Sequence, residues 1–112
     1  MDRMEGIFER CRKEGRPALT VFATCGCPSP EESGELMAEI IARGADILEI
    51  GVPFSDPMAD GTVIQHASDL ALRQGMTLEK VLETVGRIRE RHPETGLILF
   101  SYFNVLLQYG LE

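Results

Sequence analysis

GADILEIGVPFSDPMADG, residues 44–61, decides the fold of this chain. Residues 46–50 (DILEI) are a short apolar run with β-branched content, which reads as a buried parallel strand. Side chains alternate along a strand, so Leu48 and Ile50 share one face and Ile47 and Glu49 the other. Leu48 and Ile50 are expected to pack on helices. Glu49 then faces the opposite side at the C-terminal end of its strand, where parallel α/β folds hold their active sites. A loop rich in glycine and proline, residues 51–61, follows it.

Helical and strand-like segments alternate on both sides of this stretch. Residues 2–14 predict an amphipathic helix with Ile7, Phe8 and Cys11 on one side and Gly15 as its C-terminal cap. Residues 18–24 (ALTVFAT) predict the first strand. Ser29 opens the next helix, with Pro30 at its first position and Glu32 placed for a capping box. Its buried stripe is Leu36, Met37, Ile40 and Ile41, and Gly44 ends it. Residues 62–74 and 78–91 predict two further helices. The first carries Val63, Ile64, Ala67, Leu70 and Ala71; the second is capped by Thr77 and ends before Pro93. Residues 97–102 (LILFSY) predict the third strand, and residues 104–108 the start of another helix.

Strands separated by helices imply right-handed crossovers and a parallel sheet, an α/β fold. Residues 1–112 are expected to form a single partial domain. Three parallel strands leave two unpaired edges, which invite association. The expectation is that the sheet continues in further sequence; pairing between copies of the chain is the alternative.

Net charge is −7, and the eleven basic residues are scattered, which argues against a nucleic-acid partner. No apolar run approaches the ~20 residues of a membrane-spanning helix. Residues 1–16 are too charged for a secretory signal, so a cytoplasmic location is expected. Three cysteines at irregular spacing are expected to be reduced thiols.

A carboxylate at the position of Glu49 is partly desolvated, which suits it to proton transfer. The alternative is a glutamate neutralised by a neighbouring Lys or Arg. Asp60, eleven residues on, could stay ionised and accept a hydrogen bond from a substrate while Glu49 moves protons. It could equally be a turn residue or a helix cap. Asp56 lies between Pro53 and Pro57, which restrict the loop backbone; a solvated turn residue is the plainer reading. Strand parity groups Phe22 with Thr20 and Thr24, and Phe100 with Ile98 and Tyr102. If both faces match that of Glu49, aromatic rings line a pocket around the acid; core packing explains the same residues. Cys25-Gly26-Cys27 lacks the ligand number and spacing of a zinc site and reads as a tight turn, so no metal is expected. No Walker motif or GxGxxG run suggests nucleotide binding.

Read as a whole, GADILEIGVPFSDPMADGTVIQHA (residues 44–67) resembles the signature of the tryptophan synthase alpha subunit family. TVFATCGCP (residues 20–28) resembles that family's first strand and turn, and SYFNVLLQYG (residues 101–110) its third strand end and following loop. The resemblance implies the N-terminal part of a (β/α)₈ TIM barrel that cleaves indole-3-glycerol phosphate to indole and glyceraldehyde 3-phosphate. It implies Glu49 as general acid–base and Asp60 as the carboxylate at the indole N–H. Phe22 and Phe100 would line the indole pocket, with Thr24 and Tyr102 close by; Phe100 is bulkier than the aliphatic residue expected there. Pro53, Asp56 and Pro57, with Asn104, resemble the parts that face a beta subunit. Pyridoxal phosphate would belong to that partner, leaving this chain without a cofactor. Other readings are a non-catalytic, self-associating half barrel and a different phosphate-binding barrel enzyme.

Overall fold

A computed structural model describes residues 2–110. Its elements are α1 (Arg3–Lys13), β1 (Thr20–Thr24), α2 (Pro30–Ala42), β2 (Ile47–Gly51), α3 (Thr62–Arg73), α4 (Leu78–Arg91), β3 (Gly96–Phe100) and α5 (Phe103–Tyr109). The strands form one parallel sheet in the order β1-β2-β3.

Side-chain alternation gives the sheet two unlike faces. Leu48 and Ile50, both fully buried, meet Met37 and Ile41 of α2, Ala71 of α3, and Val81 and Ile88 of α4. Each such side chain stabilises the fold by about 1.5–3 kcal/mol. The other face carries Ile47, Glu49 and Gly51. Its N-terminal end is covered by α1, where Ile7 and Cys11 bury against Ile47. Gly96 makes room for this: an added Cβ would stand 2.9 Å from Met4 Sδ and 3.0 Å from Ile7 Cδ1.

Local signals hold α2 and α4 where the sequence predicts them. The Ser29 side chain accepts from the Glu32 N–H, and Thr77 accepts from the Lys80 N–H. The reciprocal capping box forms at α1 instead, between Asp2 and Glu5. Three residues assigned to apolar stripes are exposed: Phe8 (48%), Leu36 (46%) and Val63 (79%). The three strands are too few to cover the full width of those stripes. The third strand also ends earlier than the stretch 97–102 suggests, stopping before the polar Ser101. Tyr102 lies outside it, at the N-cap of α5, so strand parity does not apply to this residue.

Asp46, at the foot of β2, ties the α1–β1 connection to the sheet. Arg16 donates to both of its oxygens, at 2.8 and 3.0 Å, and the Leu19 N–H donates at 2.8 Å. Hydrogen bonding from Arg16 leads the causes that hold the Asp46 carboxyl down at about 2, from an ordinary 3.8. A depressed carboxyl stabilises the fold above its unfolded pKa, and that contribution disappears as pH falls through the folded value. Asp46→Asn is therefore expected to lower stability at pH 7 by about 1 kcal/mol, a modest figure because solvent screens the exposed Arg16 end of the pair. Urea denaturation as a function of pH checks it: the variant should lose less stability than the parent between pH 4 and pH 2.

Candidate active site

The register of the sheet sets Phe22, Glu49 and Ile98 side by side, and Thr24, Gly51 and Phe100 in the next row toward the strand ends. Parallel pairing puts each row on one face, so both aromatic residues share the face of Glu49. Glu49 is half-buried. Among the described residues no Lys or Arg lies within ion-pair distance of its carboxylate, in contrast to Asp46. The neutralised-glutamate alternative finds no partner there.

The rings of Phe22 and Phe100 meet edge to face, with centroids 5.7 Å apart and planes at 86°. Phe22 lies across β2 because Gly51 has no side chain. A Cβ on Gly51 would stand 2.6 Å from Phe22 Cζ and 3.0 Å from Cε2. Phe22 is half-buried, Phe100 is 50% exposed, and Thr24 is buried. Nothing in the strand pattern announces the need for glycine at 51. The available signal is an aromatic residue in the neighbouring strand one row below, Phe22, whose ring reaches up across β2.

The loop after β2 rises from the sheet with the ladder still forming, as the Val52 N–H donates to the Phe100 carbonyl at 2.9 Å. The Phe54 and Tyr102 rings stack with centroids 5.0 Å apart and planes tilted by 34°. The Tyr102 hydroxyl accepts from the Ala59 N–H at 2.9 Å and donates to Asp60 Oδ2 at 3.3 Å. The Asp60 N–H closes a turn onto the Pro57 carbonyl at 3.1 Å. From the first turns of α3, the Gln65 side-chain amide donates to the Asp60 and Pro57 carbonyls. Asp60 is thus a turn residue in its backbone, but its carboxylate does not cap α3. The cap position is Gly61, and no side-chain bond is made there. Pro53 is buried, Pro57 half-buried, and Asp56 and Asn104 are exposed.

Cys25-Gly26-Cys27 forms a packed turn. Gly26 has φ +102°, and a Cβ there would stand 2.8 Å from Ala71 Cβ. Its N–H donates to Ser33 Oγ at 2.8 Å. Burial pushes the Cys25 thiol up, which makes it a poor nucleophile. Among the described residues no three His, Cys, Asp or Glu side chains gather as a metal site. Among those same residues no helix is long and apolar enough to cross a membrane.

One face thus holds a carboxylate with no ion pair among the described residues and with aromatic rings beside it. A second carboxylate is fixed by its loop near the strand ends. Such an arrangement can shuttle a proton and stabilise developing positive charge on a flat substrate. The family whose sequence model matches is the tryptophan synthase alpha chain, over residues 8–112. The tryptophan synthase alpha chain of Marinobacter nauticus is 45% identical over 112 residues, covering 100% of this chain and 42% of the relative. That of Alkalilimnicola ehrlichii is 50% identical over 110 residues, covering 98% of this chain and 40% of the relative. The crystal structure of tryptophan synthase subunit alpha from Legionella pneumophila superposes with a TM-score of 0.93 at 40% identity, over 98% of this chain and 42% of that one. The chain spans about two fifths of the length of the relatives it matches.

Proposed function

Because the chain belongs to the tryptophan synthase alpha chain family and folds as three strands of its (β/α)₈ barrel, we propose that the full-length protein is the lyase of tryptophan biosynthesis that cleaves indole-3-glycerol phosphate. Glu49 is the proton carrier. It first delivers a proton to indole C3, which places positive charge on the ring nitrogen, and Asp60 stabilises that charge through the N–H. As a carboxylate it then takes the proton of the side-chain hydroxyl; that carbon becomes an aldehyde, the carbon–carbon bond breaks, and its electron pair returns to the ring as neutral indole. The products are indole and glyceraldehyde 3-phosphate. Phe22 and Phe100 flank the flat ring, with Thr24 at its margin and Tyr102 close by, on Asp60. The observation that carries this reading is the half-buried Glu49, free of any cation among the described residues, on the face shared with both rings.

The exposed Asp56 and half-buried Pro57 of the β2–α3 loop, with the exposed Asn104 in the first turn of α5, suit contact with a beta subunit; Pro53, in the same loop, is buried. Pyridoxal phosphate belongs to that partner in this reading, and the alpha chain uses no cofactor of its own. A cytoplasmic location goes with it.

Barrel ligands are usually held by phosphate-binding loops after strands seven and eight, and residues 1–112 supply three strands. Positioning can account for about 7–11 kcal/mol of a barrier. Residues 1–112 alone are therefore expected to release little or no indole from indole-3-glycerol phosphate, while the full-length protein turns over. The exposed Ile98, Leu99 and Phe100 of β3 favour a second behaviour in that isolated stretch, association through the open sheet edge. An indole assay run beside sedimentation velocity tests both. Full turnover by the isolated stretch would refute the first expectation, and a clean monomer the second.

A further inference from the structure

We propose that Tyr102 is a positioning residue whose hydroxyl latches the β2–α3 loop and aims the Asp60 carboxylate. The proposal rests on the lyase reading for its kinetic consequence but not for its structural one. A hydroxyl has one proton to donate and lone pairs to accept with. The Ala59 N–H occupies a lone pair of Tyr102 at 2.9 Å, which leaves the single proton to point at Asp60 Oδ2, 3.3 Å away. The Phe54 ring, stacked at 5.0 Å, holds the phenol in that pose. One side chain at the N-cap of α5 thereby fixes both the backbone and the carboxylate of a loop that β2 launches some forty residues earlier in the chain.

Without the latch, the carboxylate can swing on a loop otherwise held by the Pro57 turn and Gln65. The bond to Asp60 is long for O–H···O, so its loss should be felt as a moderate effect. Because the role runs through Asp60, it should vanish once Asp60 can no longer act. A Tyr102 that touched substrate directly, or merely supported the fold, would matter equally whatever stood at 60.

The full-length protein carrying Tyr102→Phe is the test, with two readouts. Hydrogen exchange at the Ala59 amide should speed up about tenfold, the loss expected for one modest hydrogen bond. In single-turnover assays with concentrated enzyme, Y102F should lower indole release about tenfold in the parent, mainly in kcat, and less than twofold in an Asp60→Asn background. Unchanged Ala59 exchange, or an equal loss in both backgrounds, overturns the latch. If the parent protein releases no indole at all, the lyase reading fails and the exchange measurement alone decides. Phe54→Leu, which removes only the supporting ring, should give the same pattern at smaller amplitude and serves if Y102F does not fold. An effect of Phe54→Leu on indole release that is equal in both backgrounds overturns the latch as well.

Discussion

Glu49→Gln in the full-length protein should reduce indole release about a thousandfold while leaving the fold intact. Glutamine keeps the size and much of the hydrogen bonding of glutamate but cannot take up and return a proton. General acid–base groups contribute about 10²–10⁴-fold, and a single residue handling both transfers belongs toward the upper part of that range. The fold should tolerate the change because Glu49 has no ion pair among the described residues and is only half-buried. Thermal melts should move little, in keeping with the near-neutral effect of substitutions that break no buried network. The loss should fall on kcat rather than KM, since the proton moves only in the chemical step. Indole release within tenfold of the parent would remove Glu49 from the mechanism.

Gly51→Val should be the most damaging single change in the site that touches no charge. The backbone at 51 lies in an ordinary strand conformation, so the effect is one of space. With an added Cβ standing 2.6 Å from Phe22 Cζ, the ring must leave its place over β2, and the edge-to-face contact with Phe100 breaks with it. Overpacking of this kind costs about 1–3 kcal/mol. Activity should fall further, by about a hundredfold, because the displaced ring sits beside Glu49, where misplacement of about 1 Å is enough for such a loss. Denaturation of the single and double variants checks the cause. Adding Phe22→Ala to Gly51→Val should restore part of the lost stability, the signature of two residues competing for one volume. If the double variant is simply the sum of its parts, the clash is not the reason.

Much of this was legible in the order of residues alone. Caps at Ser29 and Thr77 fixed two helices, and both form as expected. Alternation in DILEI was enough to turn Glu49 away from the helices, and the register puts Phe22 beside it. The third strand was misjudged at its end because the polar Ser101, after four apolar residues, was read as a strand residue rather than as its stop. The ladder carries through the Phe100 carbonyl, which takes the Val52 N–H, and the chain then enters α5 with Tyr102 as its N-cap. The Asp46–Arg16 pair and the Tyr102–Asp60 contact were invisible because they join residues 30 and 42 apart, with no periodicity to betray them. The width of the apolar stripes was overread at Phe8, Leu36 and Val63, since a helical period shows which way a face turns but not how much neighbour is there to meet it.

The close seat of Met4 and Ile7 against Gly96 has a consequence for traffic through the site. With α1 stoppering the lower end of this part of the sheet, Ile7, Cys11 and Ile47 close the described residues beneath Glu49. On the lyase reading, this part of the site is reached from the side of the strand ends, where Phe54 and Asp60 lie. A body settling on that side would then, on the same reading, govern the escape of product as well as the admission of substrate.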